Sequence, residues 1–201
     1  MNVTVPKPLA PQGVKLNPHD LAAGRYGTDD MVRIWGPEQT FAYCLRAQGE
    51  AARVLSIFYP TILPSQVAEE IASKANLDHI SSARIRELEA QTGHDVIAIN
   101  TALEEAVSEA AKPHVNKFKT SADTTQPARA LQLRGALEII IDSAENLRDI
   151  VLEKAMEWRT IPHMDCTHGY DALPTVAGRP FAHYAEMLQS NMDLLKIIYE
   201  K

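Results

Sequence analysis

Thr120-Ser121-Ala122-Asp123-Thr124-Thr125-Gln126-Pro127 opens the longest periodic run of the chain, which continues through Leu133, Leu137, Ile140, Ala144, Leu147, Val151 and Met156. Apolar residues at i, i+3, i+4 and i+7 share one side of a helix, because 3.6 residues complete a turn. Thr120, Ser121 and Asp123 supply capping oxygens at its start. Pro127 falls close enough to that start for its missing N–H to cost little. A helix this long without an internal stop signal belongs in a bundle. The run therefore predicts an all-α fold built on one long helix.

The preceding residues read as shorter helices. Residues 1–24 are rich in Pro and Gly and predict an extended arm. Thr28 caps a short helix with Asp29 and Asp30 in its first turn, and Met31, Ile34 and Trp35 are its expected buried face. Pro37 opens a helix reaching about Phe58. Leu63-Pro64-Ser65 starts another, and Ser82 to Thr92 a third. Gly93 breaks that third helix, and His94-Asp95 begins one expected to run to about Ala111, where Pro113 stops it.

After the long run comes Ile161-Pro-His-Met-Asp-Cys-Thr-His-Gly-Tyr-Asp-Ala-Leu-Pro-Thr-Val-Ala-Gly178. Two histidines, one cysteine and two aspartates lie between His163 and Asp171, bracketed by Pro162 and Pro174. This reads as a shaped connection between helices, with no strand-like alternation. His163, Asp165, Cys166 and His168 are metal-ligand residue types, but structural zinc sites favour paired Cys or His elements, and this chain has no second Cys pair. A last amphipathic helix is expected from about Val176 to Lys201. It carries no terminal stop signal, so the polypeptide is expected to be the opening of a larger bundle.

The chain has 201 residues, 45% of them hydrophobic and 23% charged, which suits an ordinary globular fold. A net charge of −6 disfavours nucleic acid as the main partner. Two cysteines make no disulfide framework and predict a reducing, cytoplasmic setting. No apolar run approaches the roughly 20 residues of a membrane span. The expected organisation is an arm over 1–24, an N-terminal helical domain over 25–112, and the start of a central bundle over 113–201.

Four polar clusters stand at turns or helix starts: Arg25-Tyr26, His94-Asp95, Thr120-Ser121-Ala122-Asp123 and Thr167-His168-Gly169. Singly, each has a plain structural explanation as a cap, a surface cation or a core ring. In this order, with Arg25-Tyr26-Gly27-Thr28-Asp29-Asp30-Met31-Val32-Arg33-Ile34-Trp35 and Thr92-Gly93-His94-Asp95-Val96-Ile97-Ala98, they resemble the N-terminal part of the adenylosuccinate lyases, in the fumarase/aspartase superfamily. The resemblance covers about residues 17–190.

That resemblance implies a helical homotetramer whose sites are assembled from three chains. It implies an anti β-elimination releasing fumarate from adenylosuccinate or the succinyl-carboxamide ribotide of purine synthesis. His168 would be the general acid and His94 its aid, since histidine titrates near neutral pH. Arg25 and Tyr26 would hold the nucleotide phosphate, and Thr120 and Ser121 the succinyl carboxylate, with Asp95 and Thr167 also at the substrate. No metal or organic cofactor, nucleic acid or membrane is implied.

Several positions depart from the family pattern. Asn116 stands where the family has histidine, and Lys117-Phe118-Lys119 where it has a Gly-rich approach. Asp165-Cys166 precedes the Thr-His-Gly, Tyr170 follows it, and Gln126-Pro127 replaces an Asp-Thr. The Ser-Ser-x-Met-Pro-x-Lys segment that carries the family's catalytic base is absent from these 201 residues. Little activity is therefore expected of them alone. A non-catalytic helical scaffold, or a lyase acting on another succinyl-amine, remains an alternative at this level.

Overall fold

A computed structural model describes residues 27–200. Thr28 accepts a hydrogen bond from the Met31 N–H (3.4 Å) and starts helix α1, Asp29–Trp35. Pro37 sits in the first turn of α2, Pro37–Phe58. Helix α3 spans Ser65–Lys74 and α4 Ser82–Thr92, the latter capped by Ser81 through the Arg84 N–H at 3.2 Å. Gly93 ends α4 at φ +65°, a conformation glycine adopts without Cβ strain. Helix α5 covers Asp95–Ala106, and a 3₁₀ turn at Lys112–His114 leads to the long helix α6, Ser121–Glu157. Strands β1 (Pro162–Thr167) and β2 (Tyr170–Val176) form an antiparallel hairpin, and α7 runs Gly178–Glu200.

The all-α reading holds: seven helices and one small hairpin make up the described residues. Four local expectations differ. In α1 the buried residues are Val32 and Ile34, while Trp35 is 41% exposed, because Ile34 packs toward Gly135 and the helix rotates accordingly. Helix α5 stops at Ala106, since Val107 is extended (ψ 165°) well before Pro113. The final helix begins at Gly178, because Thr175 and Val176 still pair with β1. The stretch 161–178, expected to hold no strand, is the hairpin itself.

The chain forms two compact units, one through Gly135 and the other from Ala136. In the first, Leu45, Leu63, Ile71, Ile85, Ile99 and Leu103 lie at the centre of one apolar core shared by α2 to α5. Each such side chain removed from water contributes about 1.5–3 kcal/mol. Gly49 lets α2 approach α3 closely: a Cβ there would stand 3.0 Å from the Ala72 Cα.

In the second unit, the hairpin base is held to the end of α6. Ala177 N–H donates to the Ile161 carbonyl (2.9 Å) and Gly178 N–H to the Trp158 carbonyl (3.1 Å). Trp158 and Phe181 meet edge to face, with centroids 5.0 Å apart. Gly178 is required here by proximity: a Cβ would lie 2.3 Å from the Ala155 carbonyl oxygen. Gly178→Ala must therefore displace backbone, and we expect it to destabilise this unit by about 1–3 kcal/mol. Urea denaturation read by Trp158 fluorescence measures this, and an unchanged midpoint would contradict the close packing.

The apolar stripe of α6 is only partly covered within the described residues. Leu133, Ile140, Leu147 and Met156 are exposed, as are Tyr184, Met187, Leu194 and Ile198 along α7. No described helix is long and apolar enough to cross a membrane.

Candidate active site

The Thr167-His168-Gly169 triplet is the tip of the hairpin. Thr167 pairs with Tyr170, leaving a two-residue loop with φ +53° at His168 and +81° at Gly169. Positive φ at both central residues is what a type I′ turn demands, and its twist matches that of the flanking strands. Histidine enters this left-handed region more readily than most residues, though at some cost in strain. His168 is exposed, and its ring makes no hydrogen bond to any described residue. It is therefore free to meet a ligand at the end of a two-stranded arm.

The strands beneath it are exposed on both faces, with a register shift between Met164 and Cys166. Beside their base, a cleft of about 490 Å³ is lined by Asp165, Thr175, Arg179, His183 and Glu186. Arg179 stands 3.9 Å from the Asp165 carboxylate there. The sequence reading passed over Arg179, because a cation in a first helical turn carries no motif.

In the first unit, His94 is the N-cap of α5. Its Nδ1 lies 3.5 Å from the Ile97 nitrogen and 3.2 Å from Asp95 Oδ1. These two roles exclude each other: an Nδ1 that accepts from Ile97 has no proton to give Asp95. The neutral ring protonated on Nε2 caps the helix, and a ring protonated on Nδ1 turns to Asp95. We favour the second as the closer contact. Asp95 Oδ1 also accepts from the Val96 N–H at 2.7 Å, so the carboxylate is tied to the first turn.

Thr120 and Ser121 form the start of α6. Asp123 Oδ2 accepts from the Thr120 N–H at 2.8 Å, the return half of a capping box. The hydroxyls of Thr120 and Ser121 make no hydrogen bonds among the described residues. They sit at the positive end of a 37-residue helix dipole. The structure thus places Thr120, Ser121, His94 and Asp95 in the first unit and Thr167 and His168 in the second. Arg25 and Tyr26 lie outside the described residues.

A buried polar hub supports the start of α6. The Gln48 side chain, only 1% exposed, directs Nε2 to Asn100 Oδ1 (2.6 Å), Asn116 Oδ1 (3.1 Å) and Thr124 Oγ1 (3.0 Å). Its Oε1 accepts from the Lys119 ammonium. Asn116 and Phe118 take left-handed φ values of +58° and +61° to make the turn that brings Lys119 inward. Burial pulls the Lys119 pKa down to about 8, with Asp123 only partly opposing that shift. Nearby, Lys117 Nζ lies 3.3 Å from His114 Nδ1, and burial lowers the His114 pKa.

A profile of lyases, Lyase_1, matches residues 24–201. The chain belongs to that lyase family. It is an adenylosuccinate lyase-like segment of the fumarase/aspartase superfamily, as its relatives agree. Adenylosuccinate lyase of Methanocaldococcus jannaschii is 34% identical over 86% of this chain and 37% of that protein. The adenylosuccinate lyase of Bacillus subtilis is 30% identical over 86% of the chain and 38% of its own length. The lyase segment therefore spans well under half the length of these relatives. Among solved structures, a fumarate lyase from Mesorhizobium is similar with a TM-score of 0.77, at 22% identity, over 85% of this chain and 40% of that one. A β-carboxy-cis,cis-muconate cycloisomerase from Acinetobacter calcoaceticus gives 0.75 at 23% identity, over 85% and 40%. At those identities the likeness establishes the fold.

Proposed function

We propose that the full-length protein is a C–N lyase releasing fumarate from adenylosuccinate, and from the related succinyl-carboxamide ribotide, in purine nucleotide synthesis. The observation that carries this reading is His168 at the exposed turn of the hairpin, within a lyase similar to the adenylosuccinate lyases of Methanocaldococcus jannaschii and Bacillus subtilis. In the elimination, a base removes a proton from the succinyl carbon next to the one bearing nitrogen. The C–N bond breaks as the double bond of fumarate forms, and His168 gives a proton to the departing nitrogen. His94, oriented by Asp95, assists as a second proton-carrying or substrate-binding group.

Thr120 and Ser121 offer hydroxyls and helix-end N–H groups to a succinyl carboxylate, with Thr167 beside the acid. Arg25 and Tyr26 take the nucleotide phosphate. The uncovered stripes of α6 and α7 support assembly of four copies through their long helices, in a soluble, cytoplasmic enzyme. A steady-state assay of fumarate release tests the activity: the full-length protein is expected to turn over adenylosuccinate, and failure on it would overturn the reading. The 201-residue chain alone is expected to give little or no turnover, because it contains no Ser-Ser-x-Met-Pro-x-Lys segment. Robust release of fumarate by that chain would refute this.

A further inference from the structure

Lys119 is the one described lysine held against a buried amide at the start of α6, and its charge lacks a close counter-charge. Its ammonium reaches the Gln48 carboxamide oxygen, which is itself locked by hydrogen bonds to Asn100, Asn116 and Thr124. No described carboxylate comes within ion-pair distance of it. Asp123 acts on it from beyond that distance and only partly offsets the cost of burial. A part-buried cation fixed by a neutral acceptor retains two donors and an unbalanced charge, a combination that a bound anion would complete. Thr120 and Ser121 follow directly in sequence, and their hydroxyls are unengaged.

We propose that Lys119, positioned by Gln48, binds a carboxylate of the dicarboxylate half of the substrate beside Thr120 and Ser121, and so helps to set specificity for succinyl compounds. This deepens the lyase reading and rests on it. The lowered pKa of Lys119 agrees with a charge that burial penalises and a carboxylate would restore. Asn116, Lys117 and Phe118 turn the backbone so that this side chain points inward, which a small residue at 119 would not exploit.

The test uses the full-length protein with fumarate and AMP as separate probes, measured by calorimetry. Lys119→Met is expected to weaken fumarate binding by about tenfold or more, the cost of losing a charge-assisted hydrogen bond. AMP affinity should be unchanged, and Lys119→Arg should restore most of the fumarate binding. If wild type cleaves adenylosuccinate yet Lys119→Met binds fumarate as tightly, the role of Lys119 is overturned and the lyase reading stands. If wild type neither cleaves adenylosuccinate nor binds fumarate, the lyase reading falls and this inference with it.

Discussion

His168→Ala in the full-length lyase is expected to lower kcat by about 10²–10⁴-fold, the range that a positioned general acid of the kind proposed contributes. The nitrogen leaving group departs poorly as an anion, so its proton must arrive while the C–N bond breaks. His168 suits this task by position: the two-residue turn at φ +53° and +81° places its ring beyond the strand ends, where no described neighbour engages it. Alanine pays more strain than histidine at φ +53°, so His168→Asn, a residue at home in that region and without an imidazole proton, is the matched control that keeps the turn. The loss should therefore fall on kcat, with AMP affinity little changed. A kcat close to wild type would remove His168 as the acid and shift attention to His94.

Gln48→Leu destabilises the protein by about 2–4 kcal/mol, because it strands several buried polar groups at once. Leucine approximates the volume of glutamine and fills the site, so a cavity is not the cause. The cost comes from Asn100 Oδ1, Thr124 Oγ1 and the Lys119 ammonium, each of which loses its partner where water has poor access. Asn116 also loses its contact, and with it the left-handed turn at 116–118 is less firmly held. Chemical denaturation of wild type and variant measures the difference. A cost near zero would mean that water or neighbouring side chains satisfy these groups, and that the hub is not what fixes the start of α6.

Much of the helical framework is legible in single residues. Thr28 caps the helix it was expected to cap, Gly93 ends α4, and Pro37 opens α2. These signals are local: a side chain within three residues satisfies an orphan N–H, or a glycine takes a positive φ, and no distant partner is needed. The long helix was legible for the same reason, since its period is written along the chain itself.

The hairpin was not legible. A strand buried on one face alternates apolar and polar residues, whereas β1 and β2 are exposed on both faces and have no such pattern to display. What marks them is the two-residue His168-Gly169 turn, a weaker signal than Asn-Gly because histidine rarely takes positive φ. Reading Pro162 and Pro174 as loop brackets hid it further, although proline is tolerated on exposed edges. The need for Gly178 is likewise not legible: it allows the close approach of the Ala155 carbonyl, which no neighbour in sequence announces.

The sequence by itself determined the family, the helical class and the order of the polar clusters, because caps, periodicity and short motifs are properties of adjacent residues. Only the tertiary structure decided that Gln48 joins Asn100, Asn116 and Thr124, which are 52, 68 and 76 positions away. It alone decided that Lys119 turns inward to that amide, and that the Thr167-His168-Gly169 triplet is the tip of a hairpin. Such pairings follow from which surfaces the packed helices and paired strands bring together, and no local pattern encodes a partner that far along the chain.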